Sequence, residues 1–195
     1  MGIFDSLKHT LKAEATKAVS GAVHSAGTGK NRSEEFTFEA FPKSLDELQA
    51  LPEASLDSPF KAAALSLAVL CRFGEDPEAV FAMLDFLKGP DTVSTYEKQF
   101  LTERLKGKEY KPFSFFHGAT PENSYCPSAP YTVTVYENPY SFDNENWATL
   151  WVKSSGGDNL RSIKLRKKPS TGQWFVNDIQ YLADIRIPTA DDPWA

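Results

Sequence analysis

The sequence predicts a single α+β domain, in which three or four N-terminal helices pack on a C-terminal antiparallel meander of four or five strands. About sixty residues with clear helix starts and stops come first, and short runs rich in β-branched and aromatic residues follow. Helices followed by strands are typical of this class. With 195 residues, 41% of them hydrophobic, the chain is long enough to bury one sizeable core.

Four helices are predicted because each begins with a capping side chain and the last three end near a glycine. The capping residues are Ser44, Ser58, Asp76 and Ser94. Prolines at the first helical position follow two of them, Pro59 and Pro77. Glutamates three residues after the other two predict capping boxes, and Gly74, Gly89 and Gly107 follow the ends of the later helices.

Four strands are predicted from alternation between apolar and polar or aromatic positions. The runs are residues 131–136, 147–152, 160–166 and 173–177, with turn residues at 154–159 and 169–172. Two arrangements fit these elements: a curved sheet cupping the helices, as in cystatin-like or NTF2-like folds, or a separate helical layer followed by a small barrel. Contact between the helix at 62–70 and the apolar strand face distinguishes them.

Residues 1–35 are predicted to form a head outside the domain of residues 36–195. Residues 3–24 fit an amphipathic helix with Phe4, Leu7 and Leu11 on one stripe, and a polar linker follows. The expected role of this helix is weak contact with a membrane surface or a partner helix. The alternative is a plain oligomerising or frayed helix.

Charge and cysteine content narrow the function. Residues 1–33 contain 5 basic and 2 acidic residues, residues 34–110 contain 8 basic and 15 acidic, and residues 111–195 contain 8 basic and 9 acidic. An acidic body argues against nucleic-acid binding. No signal peptide or membrane span is predicted, and two cysteines without a disulfide framework favour a reducing compartment, so the expected location is cytoplasmic.

The long segment at 108–130 is the first candidate for a ligand site, because long loops in compact domains are often functional. It contains the single histidine outside the head. The candidate ligand-binding residues are Phe116, His117, Glu122, Asn123 and Tyr125. The alternative is that its aromatic residues simply close the end of the core.

A second candidate is a cationic strand face. Lys164, Arg166 and Lys168 alternate with apolar residues, so they share the outer face of one strand, where they suit an anionic partner or ligand. The alternative is a solvated strand face that discourages aggregation. No catalytic residue and no cofactor are predicted. No metal site is predicted either, because one histidine and two distant cysteines are too few for a structural zinc site.

Several segments resemble an uncharacterised family of small bacterial proteins, a domain of unknown function. They are KSLDEL at 43–48, MLDFLKGP at 83–90, GATPEN at 118–123, PSTGQWF at 169–175 and DIRIP at 184–188. The resemblance covers roughly residues 36–195. It implies a bacterial, cytoplasmic protein and brings no established activity, ligand or catalytic residue.

The function expected from the sequence is therefore a non-catalytic binding or interaction module, whose partner is an unknown protein or small molecule. Titratable residues of the usual catalytic kinds are sparse, which favours binding over an enzyme. The alternative is a small-ligand pocket or enzyme between the helices and the sheet, with His117 at its mouth.

Overall fold

Five strands form one curled antiparallel sheet in the computed structural model, which describes residues 31–179 and 181–194. Each strand pairs with the next one along the chain. The strands are β1 (Ser33–Phe38), β2 (Tyr131–Tyr136), β3 (Trp147–Val152), β4 (Arg161–Lys167) and β5 (Trp174–Val176). The helices lie between β1 and β2 in the chain, so the predicted α+β class and the antiparallel meander are confirmed.

The four predicted helices are confirmed, and a single-turn helix follows them. They are α1 (Leu45–Gln49), α2 (Pro59–Leu70), α3 (Pro77–Lys88), α4 (Thr95–Leu105) and α5 (Tyr110–Phe113). Ser94 and Glu97 form a complete capping box at α4. At α1, Ser44 accepts from the backbone N–H of Glu47, but the Glu47 carboxylate accepts from the N–H of Lys43. Local caps therefore set the start of the helices.

Helix α2 is the centre of the core. Every residue of this helix except Lys61 is buried, and the helix contacts all five strands. The strand side chains that face the helices include Leu150, Ile163 and Leu165, which are fully buried. The helices and the sheet thus share one core, as in the curved-sheet arrangement.

The start of the sheet corrects the sequence analysis. Residues 33–35, which the polar composition predicts to be linker, form the first half of β1 and pair with β2. Phe36 and Phe38 are buried, while Thr37 between them is exposed. This edge strand was missed because only two of its six residues are apolar, so alternation is visible only in its second half.

Residues 1–30 lie outside the described part of the chain, and with them the expected helix at 3–24 and its contacts through Phe4, Leu7 and Leu11. Among the helices that are described, none has the length and apolar character to cross a membrane.

Candidate functional site

Two clefts bring together side chains that the sequence analysis considered separately. The Lys88 cleft, with a volume of about 220 Å³, lies between the α3–α4 connection and the β4–β5 hairpin. It is lined mainly by Lys88, Asp91, Arg166, Lys167, Lys168 and Phe175. The His117 cleft, with a volume of about 160 Å³, is lined mainly by Phe116, His117, Thr134, Tyr136, Lys153 and Ser155.

Lys88 is a buried cation at the base of its cleft. It is the last residue of α3, and its side chain is only 5% exposed. The ammonium group lies 2.7 Å from Oε1 of Glu97 and donates to the carbonyl of Asn177 at 3.3 Å. An ammonium group has three N–H donors. Two of them have acceptors among the described residues, the Glu97 carboxylate and the Asn177 carbonyl.

Glu97 fixes Lys88 because its own position is fixed. The second carboxylate oxygen, Oε2, accepts from both the backbone N–H and the hydroxyl of Ser94. Partial burial raises the pKa of Glu97, but the hydrogen bonds from Lys88 and Ser94 outweigh it, so the pKa lies below its ordinary value of 4.5. The carboxylate is thus charged at neutral pH and holds Lys88 in place.

The rim of the Lys88 cleft is cationic and solvent-accessible. Arg166 is 58% exposed in its side chain, and its guanidinium lies over the ring of Trp147 at 5.3 Å from the ring centre. Asp91 lies 3.9 Å from Arg166, and its side chain is 69% exposed. Such an exposed pair contributes only about 0–1 kcal/mol. Asp91 therefore does not commit Arg166 to a single geometry.

The positive charge of the cleft exceeds its negative charge. Lys88, Arg166, Lys167 and Lys168 line it, against one lining carboxylate, Asp91. Glu97 offsets the charge of Lys88 from behind. The cleft therefore carries a net positive charge, which concentrates anions near it.

The structure divides the predicted cationic face. Arg166 and Lys168 line the Lys88 cleft, whereas Lys164 is exposed on the same side of β4 and lies outside its lining. Lys88 was not singled out in the sequence. A lysine in the last helical turn before Gly-Pro ordinarily suits a solvated helix end, so the sequence carries no signal that this one is buried.

The His117 cleft opens where β2 and β3 part. These strands pair only at Val135 with Val152 and at Tyr136 with Trp151. The first half of β2 forms a hydrogen bond with the backbone of His117 instead. The N–H of His117 donates to the carbonyl of Thr132 at 2.8 Å. The gap between two neighbouring strands thus becomes a small pocket that the sequence segment at 114–119 borders.

The ring of His117 belongs to a chain of three side chains. Its Nε2 lies 2.9 Å from Oγ1 of Thr134, and that hydroxyl donates to a carboxylate oxygen of Glu35 at 3.4 Å. A carboxylate only accepts, so the Thr134 proton points to Glu35 and its oxygen accepts from Nε2–H of His117. Nδ1 of the neutral ring is then left as an acceptor or base.

The other predicted loop residues lie outside the lining of the His117 cleft. Asn123 caps the turn that begins at Thr120. Tyr125 is buried, donates to the carbonyl of Arg186 at 2.8 Å and stacks on Tyr110, and burial raises its pKa. Glu122 is exposed, and its own backbone N–H and the Thr120 hydroxyl lower its pKa. Of the five candidates, the structure therefore brings only Phe116 and His117 together in this cleft.

The two cysteines differ in environment. Cys71 is buried and Cys126 is exposed, and neither forms a disulfide. Burial raises the pKa of the Cys71 thiol, whereas the Cys126 thiol donates to the carbonyl of Ser124 at 3.7 Å. Within residues 31–179 and 181–194, no group of three or more His, Cys, Asp and Glu side chains is arranged to hold a metal ion.

Comparison with known proteins gives one match. A family model described as a domain of unknown function (DUF6935) matches residues 40–189. No curated protein and no solved structure matches the chain. The matched range contains both halves of the Lys88 cleft, and it excludes β1, which carries Glu35.

Proposed function

The chain belongs to the DUF6935 family, whose function is unknown, and we propose that its domain is a non-catalytic binding module. The Lys88 cleft holds an anionic group of a small molecule or of a partner protein. The observation that carries this proposal is a buried, immobilised ammonium group at the base of a cleft with a cationic, accessible rim.

The burial of Lys88 supports a binding role. Lysines are almost never fully buried unless they are paired, and their long side chains normally carry the charge out to water. A structural ion pair with Glu97 accounts for Lys88 alone. It does not account for Arg166, Lys167 and Lys168 around the same cleft. An anion in the cleft is attracted by the positive charge of the residues that line it.

The lining of the Lys88 cleft supports binding over catalysis. Its described residues include no histidine, cysteine or serine, so the usual nucleophiles and the usual neutral-pH base are missing from it. Asp91 is its lining carboxylate and is mostly exposed to solvent. These groups are suited to holding a charge in place.

The His117 cleft is a second candidate, as a small-ligand pocket or enzyme site. The chain from Glu35 through Thr134 to His117 favours it, because such a chain orients the ring and leaves Nδ1 to accept a proton or a hydrogen bond. Replacing His117 with Gln tests this candidate. Take a ligand that slows amide hydrogen exchange around His117 in the wild type. If the His117→Gln variant no longer binds this ligand, the candidate is supported, and if the variant binds it equally well, the candidate is contradicted.

We also propose that the protein is located in the cytoplasm of a bacterial cell. The unpaired thiols of Cys71 and Cys126 suit a reducing compartment, and the bacterial origin rests on the sequence resemblance. Cell fractionation that recovers the protein with an envelope or secreted fraction would contradict this location.

Chemical-shift mapping of backbone amides tests the proposed function. Citrate, phosphate and chloride are titrated at matched ionic strength, because ionic strength alone screens surface charges. We expect saturable shifts for a multivalent anion at Gly89, Asp91, Lys168 and Asn177, and a weaker, non-saturating response to chloride. Shifts that are equal for all three anions, or confined to other parts of the domain, would refute the proposal.

A further inference from the structure

We propose that the Lys88 cleft selects a phosphoryl dianion carried by a small organic molecule, that is, a phosphomonoester. This inference rests on the proposed function and names the ligand class for the same site. Three features support it: the amount of positive charge, the placement of the donors, and the apolar walls beside them.

The first feature is charge. Four cationic residues line the cleft, Asp91 lies at the rim and Glu97 offsets Lys88 from behind, which leaves a surplus of about two positive charges by simple counting. A carboxylate or sulfate ester supplies one negative charge. A phosphomonoester supplies about 1.5 to 2 at neutral pH, since its second pKa is about 6. The dianion therefore matches the surplus better.

The second feature is the placement of the donors. Lys88 approaches from the base of the cleft, where two of its N–H groups are already directed at Glu97 and Asn177. Arg166 lies on the rim as the penultimate residue of β4, and Lys168 follows that strand in the hairpin turn. The three oxygens of a tetrahedral phosphoryl group can accept from separate directions, and Arg also binds phosphate through two parallel hydrogen bonds.

The negative end of helix α3 does not oppose an anion strongly. Two of the four carbonyls in its last turn, those of Asp85 and Phe86, accept from the backbone N–H of Gly89, at 3.0 and 3.2 Å. Lys88 in the last turn also offsets the helix dipole. These hydrogen bonds and the ammonium group of Lys88 reduce the repulsion between this helix end and an anion.

The third feature is the apolar wall. Pro90, Pro169 and the half-buried ring of Phe175 line the same cleft as the cations. Inorganic phosphate leaves these surfaces in contact with water, whereas an ester places its organic group against them. The volume of about 220 Å³ is below the roughly 300–1,000 Å³ of pockets for drug-sized ligands, which favours a small ester.

Asp91 gives the inference a distinctive consequence. Its carboxylate lies at the rim, 3.9 Å from Arg166, so it competes with the ligand for the guanidinium and repels the dianion. Asp91→Asn removes both effects. Because the side chain is 69% exposed, the substitution leaves the fold intact. We expect it to tighten dianion binding about two- to fivefold, as for the loss of an exposed charge contact.

Calorimetry with four probes tests the inference on the full chain. Phenyl phosphate is compared with phenyl sulfate, benzoate and inorganic phosphate at pH 7.5 and constant ionic strength. We expect phenyl phosphate to bind at least about tenfold more tightly than phenyl sulfate or benzoate, and more tightly than inorganic phosphate. Lowering the pH to 5 should weaken the binding of phenyl phosphate and leave the binding of phenyl sulfate little changed. Of these two probes, only the phosphate gains a proton in this range.

The outcomes separate the inference from the proposed function. Equal affinity for phenyl phosphate and phenyl sulfate overturns selection of the dianion, and a saturating cleft response to citrate then leaves the proposed function standing. Equal affinity for inorganic phosphate and phenyl phosphate overturns the ester and assigns free phosphate. Weaker binding in Asp91→Asn overturns the role of the rim. If none of the probes, citrate included, binds in the cleft, both the inference and the proposed function fail.

Discussion

The ammonium group of Lys88 and the carboxylate of Glu97, 2.7 Å apart, join the end of helix α3 to the start of α4. The same carboxylate closes the capping box with Ser94. One side chain thus caps a helix, fixes the connection between two helices and holds a buried cation at the base of a cleft. This ion pair therefore serves both the stability of the fold and the proposed binding site.

Glu97→Gln should lower stability in a pH-dependent way. The pKa of Glu97 is lowered in the folded protein, so the unfolded chain takes up the proton first as the pH falls. The stabilisation is complete above the ordinary value of 4.5 and is lost as the pH falls through the folded pKa. We expect a cost of about 1–3 kcal/mol at pH 7, typical of a hydrogen bond to a charged group.

Urea unfolding of the wild type and Glu97→Gln at pH 7, 5, 4 and 3 measures this dependence. The difference between the two should shrink below the ordinary carboxyl pKa. Glu103→Gln, on the same helix but exposed, is the matched control and should have little effect. If the difference in the free energy of unfolding stays constant over the whole pH range, the charge of Glu97 in the ion pair contributes nothing to stability.

Gly89→Ala should damage both the fold and the Lys88 cleft. Gly89 has φ +64°, and an added Cβ would lie 2.4 Å from the ring of Phe175. The strained backbone alone costs about 1–3 kcal/mol, and the ring must also move. Gly107→Ala is the control, since Gly107 has φ +71° but no atom within 4 Å of its added Cβ. Thermal unfolding should show a clearly larger loss for Gly89→Ala, and equal losses would contradict the contact with Phe175.

The neutral ring of His117 should carry its proton on Nε2. The reason is the direction of the hydrogen bonds from Nε2 to Thr134 and from Thr134 to Glu35. Ring nitrogen chemical shifts recorded at alkaline pH distinguish the two tautomers. Thr134→Val removes the acceptor and should weaken this preference. A wild-type ring with the proton on Nδ1 would show that the hydroxyl donates to His117 instead.

The two thiols should differ in reactivity with an aromatic disulfide reagent. Cys126 is exposed and should react in the native protein, whereas Cys71 is buried with a raised pKa and should react only on unfolding. His117→Ala should not slow Cys126, because the thiol contacts the carbonyl of Ser124. A Cys126 reaction that is fast below neutral pH and depends on His117 would instead indicate a cysteine nucleophile.

The sequence predicts the elements that depend on local interactions. The strands at 131–136 and 147–152 match the structure residue for residue, because alternation within a strand is visible in the sequence itself. The helix starts follow from capping residues in the same way. Strand β1 was partly missed because its pairing with β2 joins residues about a hundred positions apart, and Ser33 and Glu34 carry no β signal of their own.

The candidate site was predicted only in part, for the same reason. The alternation of β4 correctly places Arg166 on an exposed face, but Lys88 lines the same cleft only because α3 packs against the edge strand β5. Tyr125 was expected at a ligand site, and the structure places its ring against Tyr110, because Ser124 and Tyr125 both take positive φ and turn the chain inward. Such contacts depend on tertiary structure, and no spacing in the sequence encodes them.

The affinities of phenyl phosphate for the Arg166→Gln and Lys164→Gln variants show whether the Lys88 cleft is a specific anion site. Both substitutions remove one positive charge from the same exposed face of β4, but only Arg166 lines the Lys88 cleft. We expect Arg166→Gln to weaken binding about tenfold or more, as for the loss of a charge-assisted hydrogen bond, and Lys164→Gln to change it less than about twofold. An equal loss in the two variants would mean that the ligand responds to general surface charge, and it would contradict a specific anion site in the cleft.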